Sequence, residues 1–258
     1  MNEYVIIILF SLLGSALTFF SGFGLGTILV PVFGIFFPID VAIALTAIVH
    51  FLNNVFKFFL VGKHVNKEVL LKFGVPSVIA ALIGAWCLSE ISSLQSLYSY
   101  VAFDKTFEVK PVKAVVAVLM ILFALFELIP ALSKLSFDKK YLPLGGLLSG
   151  FFGGLSGNQG ALRSAFLLRS GLTKESFIAT GVSIACLIDI TRLSVYAQHF
   201  TKQTLQDNFS LLAAATLAAF AGALIGNKLL KKTTFATVQI FVAAMLIVFA
   251  VLLGMGII

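Results

Sequence analysis

One apolar stretch of the chain, residues 39–60, carries polar side chains at helical spacing. Five such residues recur along it: Thr46, His50, Asn53, Asn54 and Lys57. An α-helix would place them on one stripe, and a polar stripe in a membrane helix faces the protein interior because charge in lipid is costly. Asn54 and Lys57 are therefore candidates for binding a charged solute. His50 has two interpretations, a proton carrier that titrates near neutral pH or a hydrogen-bonded packing residue.

A second apolar stretch, residues 175–197, carries both a carboxylate and a guanidinium. Asp189 and Arg192 have the i, i+3 spacing of an intrahelical pair. The sequence leaves two roles open for this pair. It is either a structural bridge, or a site in which Arg192 binds an anion and Asp189 carries a proton.

Two glycine-rich breaks offer a different kind of binding group. The candidate ligand residues at these breaks are Gly24, Gly26, Thr27, Asn158, Gln159, Gly160 and Arg163. Helices that begin at Gly24 and Gly160 would present free backbone N–H groups and a positive dipole end to an anion, and Arg163 would add a full charge. The alternative for the glycines is close helix packing, and for Arg163 it is snorkelling or pairing with an acid.

The composition excludes a water-soluble protein. Of the 258 residues, 60% are hydrophobic and 11% are charged, with a mean hydropathy of +1.08. The net charge of +7 comes from residues scattered between apolar segments, so we expect a lipid bilayer and no nucleic acid as partner. The sequence has no phosphate-binding loop, nucleophile elbow or metal-ligand spacing. We therefore expect no enzyme activity, no metal and no cofactor.

Ten apolar segments alternate with short polar loops. They are residues 4–20, 24–37, 39–60, 69–89, 112–132, 141–156, 160–170, 175–197, 208–229 and 234–257. The second and seventh segments would be only about 21 Å and 16 Å long as helices, against a hydrocarbon core of roughly 30 Å. If all ten are separate segments and the N-terminus is outside, the basic loops gather on the inner face, whereas eight crossings divide them evenly. We therefore predict an all-α polytopic membrane protein with ten segments.

The two halves of the chain share a pattern. At one offset of 135 positions, several polar residues and glycines pair: Ser21 and Gly22 with Ser156 and Gly157, Asn54 with Asp189, and Lys57 with Arg192. An odd number of segments in each half inverts one copy relative to the other, an arrangement common in alternating-access transporters. We predict two inverted-topology repeats of about five segments each, residues 1–133 and 134–258, each containing a short, glycine-interrupted helix.

The breaks Ser21 to Pro31 and Ser149 to Gly160, with the endings Ile83-Gly84 and Ile225-Gly226, resemble the sulfite exporter TauE/SafE family over nearly the whole chain. The resemblance implies a multi-pass secondary transporter in the inner membrane of a prokaryote. It also implies export of a small sulfur-containing anion, such as sulfite, a sulfonate or a related organic anion. The residues themselves leave open a transporter of a cation or neutral solute, a passive anion channel, and association as a homodimer.

Overall fold

A computed structural model describes residues 2–19, 24–102, 104–133, 135–198, 202–229 and 235–258. This part of the chain contains the helices α1 (Asn2–Thr18), α2 (Leu25–Gly34), α3 (Ile39–Val61), α4 (Lys67–Ser92), α5 (Pro111–Leu128), α6 (Pro130–Ser133), α7 (Leu142–Ser156), α8 (Gly160–Leu167), α9 (Lys174–Tyr196), α10 (Lys202–Asp207), α11 (Phe209–Leu229) and α12 (Phe235–Gly254). Two strands, β1 (Tyr98–Ala102) and β2 (Lys105–Val109), form an antiparallel hairpin. Each of the ten predicted segments corresponds to one helix of at least eight residues, and the segment 112–132 also includes most of the short helix α6.

The helices and their surface are those of a multi-pass membrane protein. Within the described residues, α3, α4, α5, α9 and α11 are long and apolar enough to cross a membrane. Large apolar side chains such as Phe59 and Leu217 are 80% and 66% exposed, as expected where lipid rather than water surrounds the protein. The prediction of an all-α polytopic membrane protein is confirmed. The two short helices, α2 and α8, have 10 and 8 residues, which corresponds to about 15 Å and 12 Å.

The hairpin of β1 and β2 was not predicted from the sequence. Its turn contains Asp104 with φ of 58°, a left-handed conformation that aspartate tolerates better than most residues. The Tyr100 hydroxyl donates a hydrogen bond of 2.7 Å to the carbonyl oxygen of Met255. The hairpin therefore ties the loop before α5 to the end of α12.

Most of the large helix contacts join the two predicted halves. α1 packs against α11 and α4 against α7, while α3 packs against α9 and α5 against α12. If the two halves are exchanged, α1 takes the place of α7 and α4 takes the place of α11. The contact of α1 with α11 then becomes the contact of α7 with α4. The same exchange leaves the other two contacts unchanged. This pairing supports the inverted repeats, whose boundaries stay a prediction.

Two glycines allow the close approach of these helix pairs. A Cβ atom on Gly84 of α4 would collide with the carbonyl oxygen of Phe151, and one on Gly226 of α11 would collide with that of Ala16. Small residues let membrane helices approach backbone to backbone. The two residues that these glycines contact, Ala16 and Phe151, are 135 positions apart, which is the same offset that relates the two halves.

Hydrogen bonds group the loops into two ends of the molecule. At one end, Lys139 bonds to Glu68 at 2.9 Å, and the backbone N–H of Asn66 donates to Thr180 at 3.0 Å. At the other end, the Tyr4 hydroxyl lies 2.7 Å from that of Ser210. The first end holds the loops that the ten-segment topology places inside, and the second holds loops that it places outside.

We expect residues 63 and 202 to lie on opposite faces of the membrane, because basic loops stay on the cytoplasmic side. Lys63→Cys should react with an impermeant thiol reagent only in inside-out vesicles, and Lys202→Cys only in intact cells, both with Cys87 and Cys186 replaced by alanine. Lys139 and Lys174 should behave like Lys63, and so should Lys231, which lies outside the described residues. Labelling of positions 63 and 202 from the same side would contradict the inverted topology.

Candidate functional site

The two short helices begin beside each other inside the protein. α2 begins after Gly24, which has no side chain to cap the helix. α8 begins after Gln159, whose side chain does not cap it. A Cβ atom on Gly26 would lie 3.3 Å from the carbonyl oxygen of Gly157, so the two starts are in contact. Gly157 has φ of 79°, a conformation that glycine adopts without strain, and it ends α7 so that the chain can turn into α8.

A small cavity lies beside these helix starts, between α1, α2, α3, α8 and α9. Its polar lining includes His50, Asn54, Lys57 and Arg163, and Gly24 also lines it. The cavity holds about 30 Å³, and a water molecule needs roughly 10–15 Å³. It therefore has room for about two water molecules or one small ion.

Two basic side chains face this cavity without an acidic partner. Lys57 is 4% exposed and Arg163 is 7% exposed. The Lys57 ammonium lies 5.3 Å from the centre of the Phe19 ring, and the Arg163 Nη1 atom donates a 3.3 Å hydrogen bond to the Gln159 side chain. Among the described residues, neither forms a salt bridge. The cavity is consequently electropositive.

Asp189 lies behind the cavity and is fully engaged. Arg192 donates from Nε and Nη2 to its Oδ1 atom at 3.0 Å and 2.8 Å, which confirms the predicted intrahelical pair. Gln159 donates to the same oxygen at 3.4 Å. Asn54 donates to Oδ2 at 3.3 Å, and His50 Nδ1 lies 2.6 Å from it. A carboxylate with this many partners has little capacity left for a ligand.

His50 connects the cavity to this carboxylate. One side of its ring contacts Asp189, and the ring also lines the cavity. Its Nε2 atom lies 3.3 Å from the position that a Cβ atom on Gly24 would occupy. The imidazole therefore lies between the start of α2 and the Asp189 carboxylate. His50 is buried and hydrogen-bonded, as the packing interpretation expects, and the choice between packing and proton transfer stays a prediction.

The predicted site residues thus fall into two adjoining groups. Those lining the cavity are Gly24, His50, Asn54, Lys57 and Arg163. Those behind it are Gly26, Thr27, Asn158, Gln159, Gly160, Asp189 and Arg192, all of them buried. Gly181 was missed: it lines the cavity, and a Cβ atom there would lie at an ordinary contact distance of 3.5 Å from Arg163 Nε. A lone glycine in a long apolar helix gives no signal of this role.

We expect Asp189 and Arg192 to stabilise the fold as a unit. Removal of either charge leaves the other buried and unpaired, at a cost of about 3–5 kcal/mol. Asp189→Asn and Arg192→Gln should each lower the melting temperature of the purified protein, and the double variant should lower it less than either. Glu68→Gln is the control, because it breaks an exposed ion pair with Lys139 worth only about 0–1 kcal/mol. Additive losses in the double variant would contradict the pairing.

Comparison with known proteins agrees with this architecture. The model of a family described as sulfite exporter TauE/SafE matches residues 7–253, which includes both short helices and the residues around the cavity. A search of curated proteins gave no match. The resemblance carried by the glycine-rich breaks is confirmed, because the match extends over nearly the whole chain. The protein therefore belongs to the sulfite exporter TauE/SafE family of membrane transport proteins.

Proposed function

We propose that this protein is a secondary active transporter that carries a small sulfur-containing oxyanion, such as sulfite, by alternating access. The observation that carries the proposal is the pair of buried cations on one cavity, Lys57 and Arg163, neither of which forms a salt bridge within the described part of the chain. Burying two positive charges is costly unless they are paired. An anion in the cavity would supply the missing negative charge.

The groups around the cavity have complementary roles in binding an oxyanion. Arg163 offers a planar fork of N–H donors, whereas Lys57 offers a compact point charge. The start of α2 beside Gly24 adds the positive end of a helix dipole, and the Asn54 amide adds a further donor. The small volume of the cavity favours an inorganic oxyanion over a sulfonate with a long organic chain.

A cation or neutral substrate has less support. In the described residues, the acid nearest the cavity is Asp189, and its oxygens are occupied by Arg192, His50, Gln159 and Asn54. A cation would have to displace these partners while standing beside Lys57 and Arg163. A passive anion channel would share the electropositive cavity, so accumulation of the anion against its gradient is the measurement that separates a channel from a transporter.

The proposals of transport direction and location rest on the family. We propose export because the matching family is described as one of sulfite exporters, and we place the protein in the inner membrane of a prokaryote on the same basis. His50 is the proposed coupling residue, with Asp189 as its partner, because the imidazole contacts both the cavity and the carboxylate. No part of this scheme requires a metal or cofactor.

We expect Arg163→Gln to weaken sulfite binding. A charge-assisted hydrogen bond contributes about 1.5–3 kcal/mol, so the dissociation constant measured by calorimetry should rise roughly tenfold to a hundredfold. Arg163→Lys should retain part of the affinity, because it keeps the charge but loses the fork. Arg169→Gln is the matched control, because Arg169 is an exposed residue just beyond α8. Unchanged affinity in folded Arg163→Gln protein would place the anion site elsewhere.

We expect His50→Gln to uncouple transport from protons. Glutamine can still form hydrogen bonds, but it does not titrate as imidazole does near neutral pH. In proteoliposomes, sulfite uptake driven by an imposed pH gradient should fall to background, while exchange of labelled for unlabelled sulfite at equal pH should persist. A parallel loss of both activities would show that His50 serves binding or packing instead of coupling.

A further inference from the structure

A packed region on the opposite side of the helix starts contains polar atoms without partners. Of the seven buried side-chain atoms of this kind in the described residues, three lie here: Thr46 Oγ1, Asn158 Oδ1 and Arg192 Nη1. Thr46 and Arg192 are both 0% exposed. A buried polar atom without a hydrogen-bond partner destabilises the fold. Such atoms call for an explanation, and simple packing does not supply one.

The offset of 135 positions between the two halves relates this packed region to the cavity. The offset of 135 that pairs Lys57 with Arg192 also pairs Thr46 with Gly181, and both Lys57 and Gly181 line the cavity. It pairs Gly24, which also lines the cavity, with Gln159, the residue just after Asn158. The packed region is therefore the counterpart of the cavity in the other half of the molecule.

The contacts of Arg192 match this position. Its Nε and Nη2 atoms are held by Asp189, which leaves Nη1 to point elsewhere. A Cβ atom on Gly157 would lie 2.9 Å from Nη1, so this atom lies at the turn that leads into α8. The Tyr196 hydroxyl donates its proton to the carbonyl oxygen of Gly154.

We propose that Thr46 and Arg192 form a second half of the oxyanion site, sealed in the described conformation and open to the outer face when the Lys57 and Arg163 cavity closes. The inference rests on the proposed transport function. In the outward-facing form, Arg192 keeps its bonds to Asp189 and donates from Nη1 to the anion, and Thr46 donates from its hydroxyl. The structural and the binding interpretation of Arg192 then describe one residue with two simultaneous tasks.

Cysteine labelling from outside tests whether this region opens. Thr46→Cys, with Cys87 and Cys186 replaced by alanine, should react with an impermeant maleimide in intact cells. If the outward-facing form is a minor state populated at about 0.1–10%, Thr46→Cys should be labelled at about that fraction of the rate of the exposed Lys110→Cys. Ala117→Cys is the control, because Ala117 is also buried and lies near the end of α5 that the predicted topology places at the outer face. A Thr46→Cys protein that exchanges sulfite yet stays as unreactive as Ala117→Cys would overturn the proposal.

Side-specific affinity provides a second test that keeps the fold intact. Thr46→Val removes only the hydroxyl, so sulfite affinity measured from the outer face of oriented proteoliposomes should fall about twofold to tenfold. Affinity from the inner face should stay unchanged. Equal losses on both faces, or none, would overturn the assignment of Thr46. Labelling of Thr46→Cys in a protein without any sulfite flux would instead refute the proposed substrate and leave the two-state inference standing.

Discussion

Each charge buried in this protein has to be balanced by other groups of the protein or by a ligand, because lipid offers no compensating dipoles. The buried charges of this chain are of two kinds, and they lie on neighbouring helices. Asp189 and Arg192 balance each other on α9, whereas Lys57 on α3 and Arg163 on α8 remain unbalanced beside a cavity. The contrast separates a permanent ion pair from two cations that we propose are balanced by a bound anion.

The glycines give this site its shape. Gly24 and Gly157 interrupt what would otherwise be continuous helices, so two helix starts meet inside the protein instead of at its surface. Other glycines bring α4 close to α7 and α11 close to α1. Close packing therefore applies to glycines of α4 and α11, whereas anion binding by the glycines at the breaks stays a proposal.

The helical segments were predictable because lipid allows few alternatives to an apolar helix, and the polar stripe of α3 was predictable from its spacing. The hairpin of β1 and β2 was not, because its two strands have only five residues each and lie in a loop between two apolar segments. The rotation of each helix about its own axis could not be predicted either. The alignment of the two halves paired Lys57 with Arg192, whereas in the structure Lys57 and Arg163 line the same cavity. This arrangement depends on packing between helices far apart in sequence.

The contact between His50 and Asp189 joins α3 to α9, the two central helices that exchange places when the halves are swapped. If the halves rock against each other as we propose, a bond across this crossing would lie near the pivot, where displacement is smallest. It could then persist while the outer parts of both helices move apart. The hydrogen bond between His50 and Asp189 would in that case stay intact through the transport cycle and add nothing to the barrier between the two states.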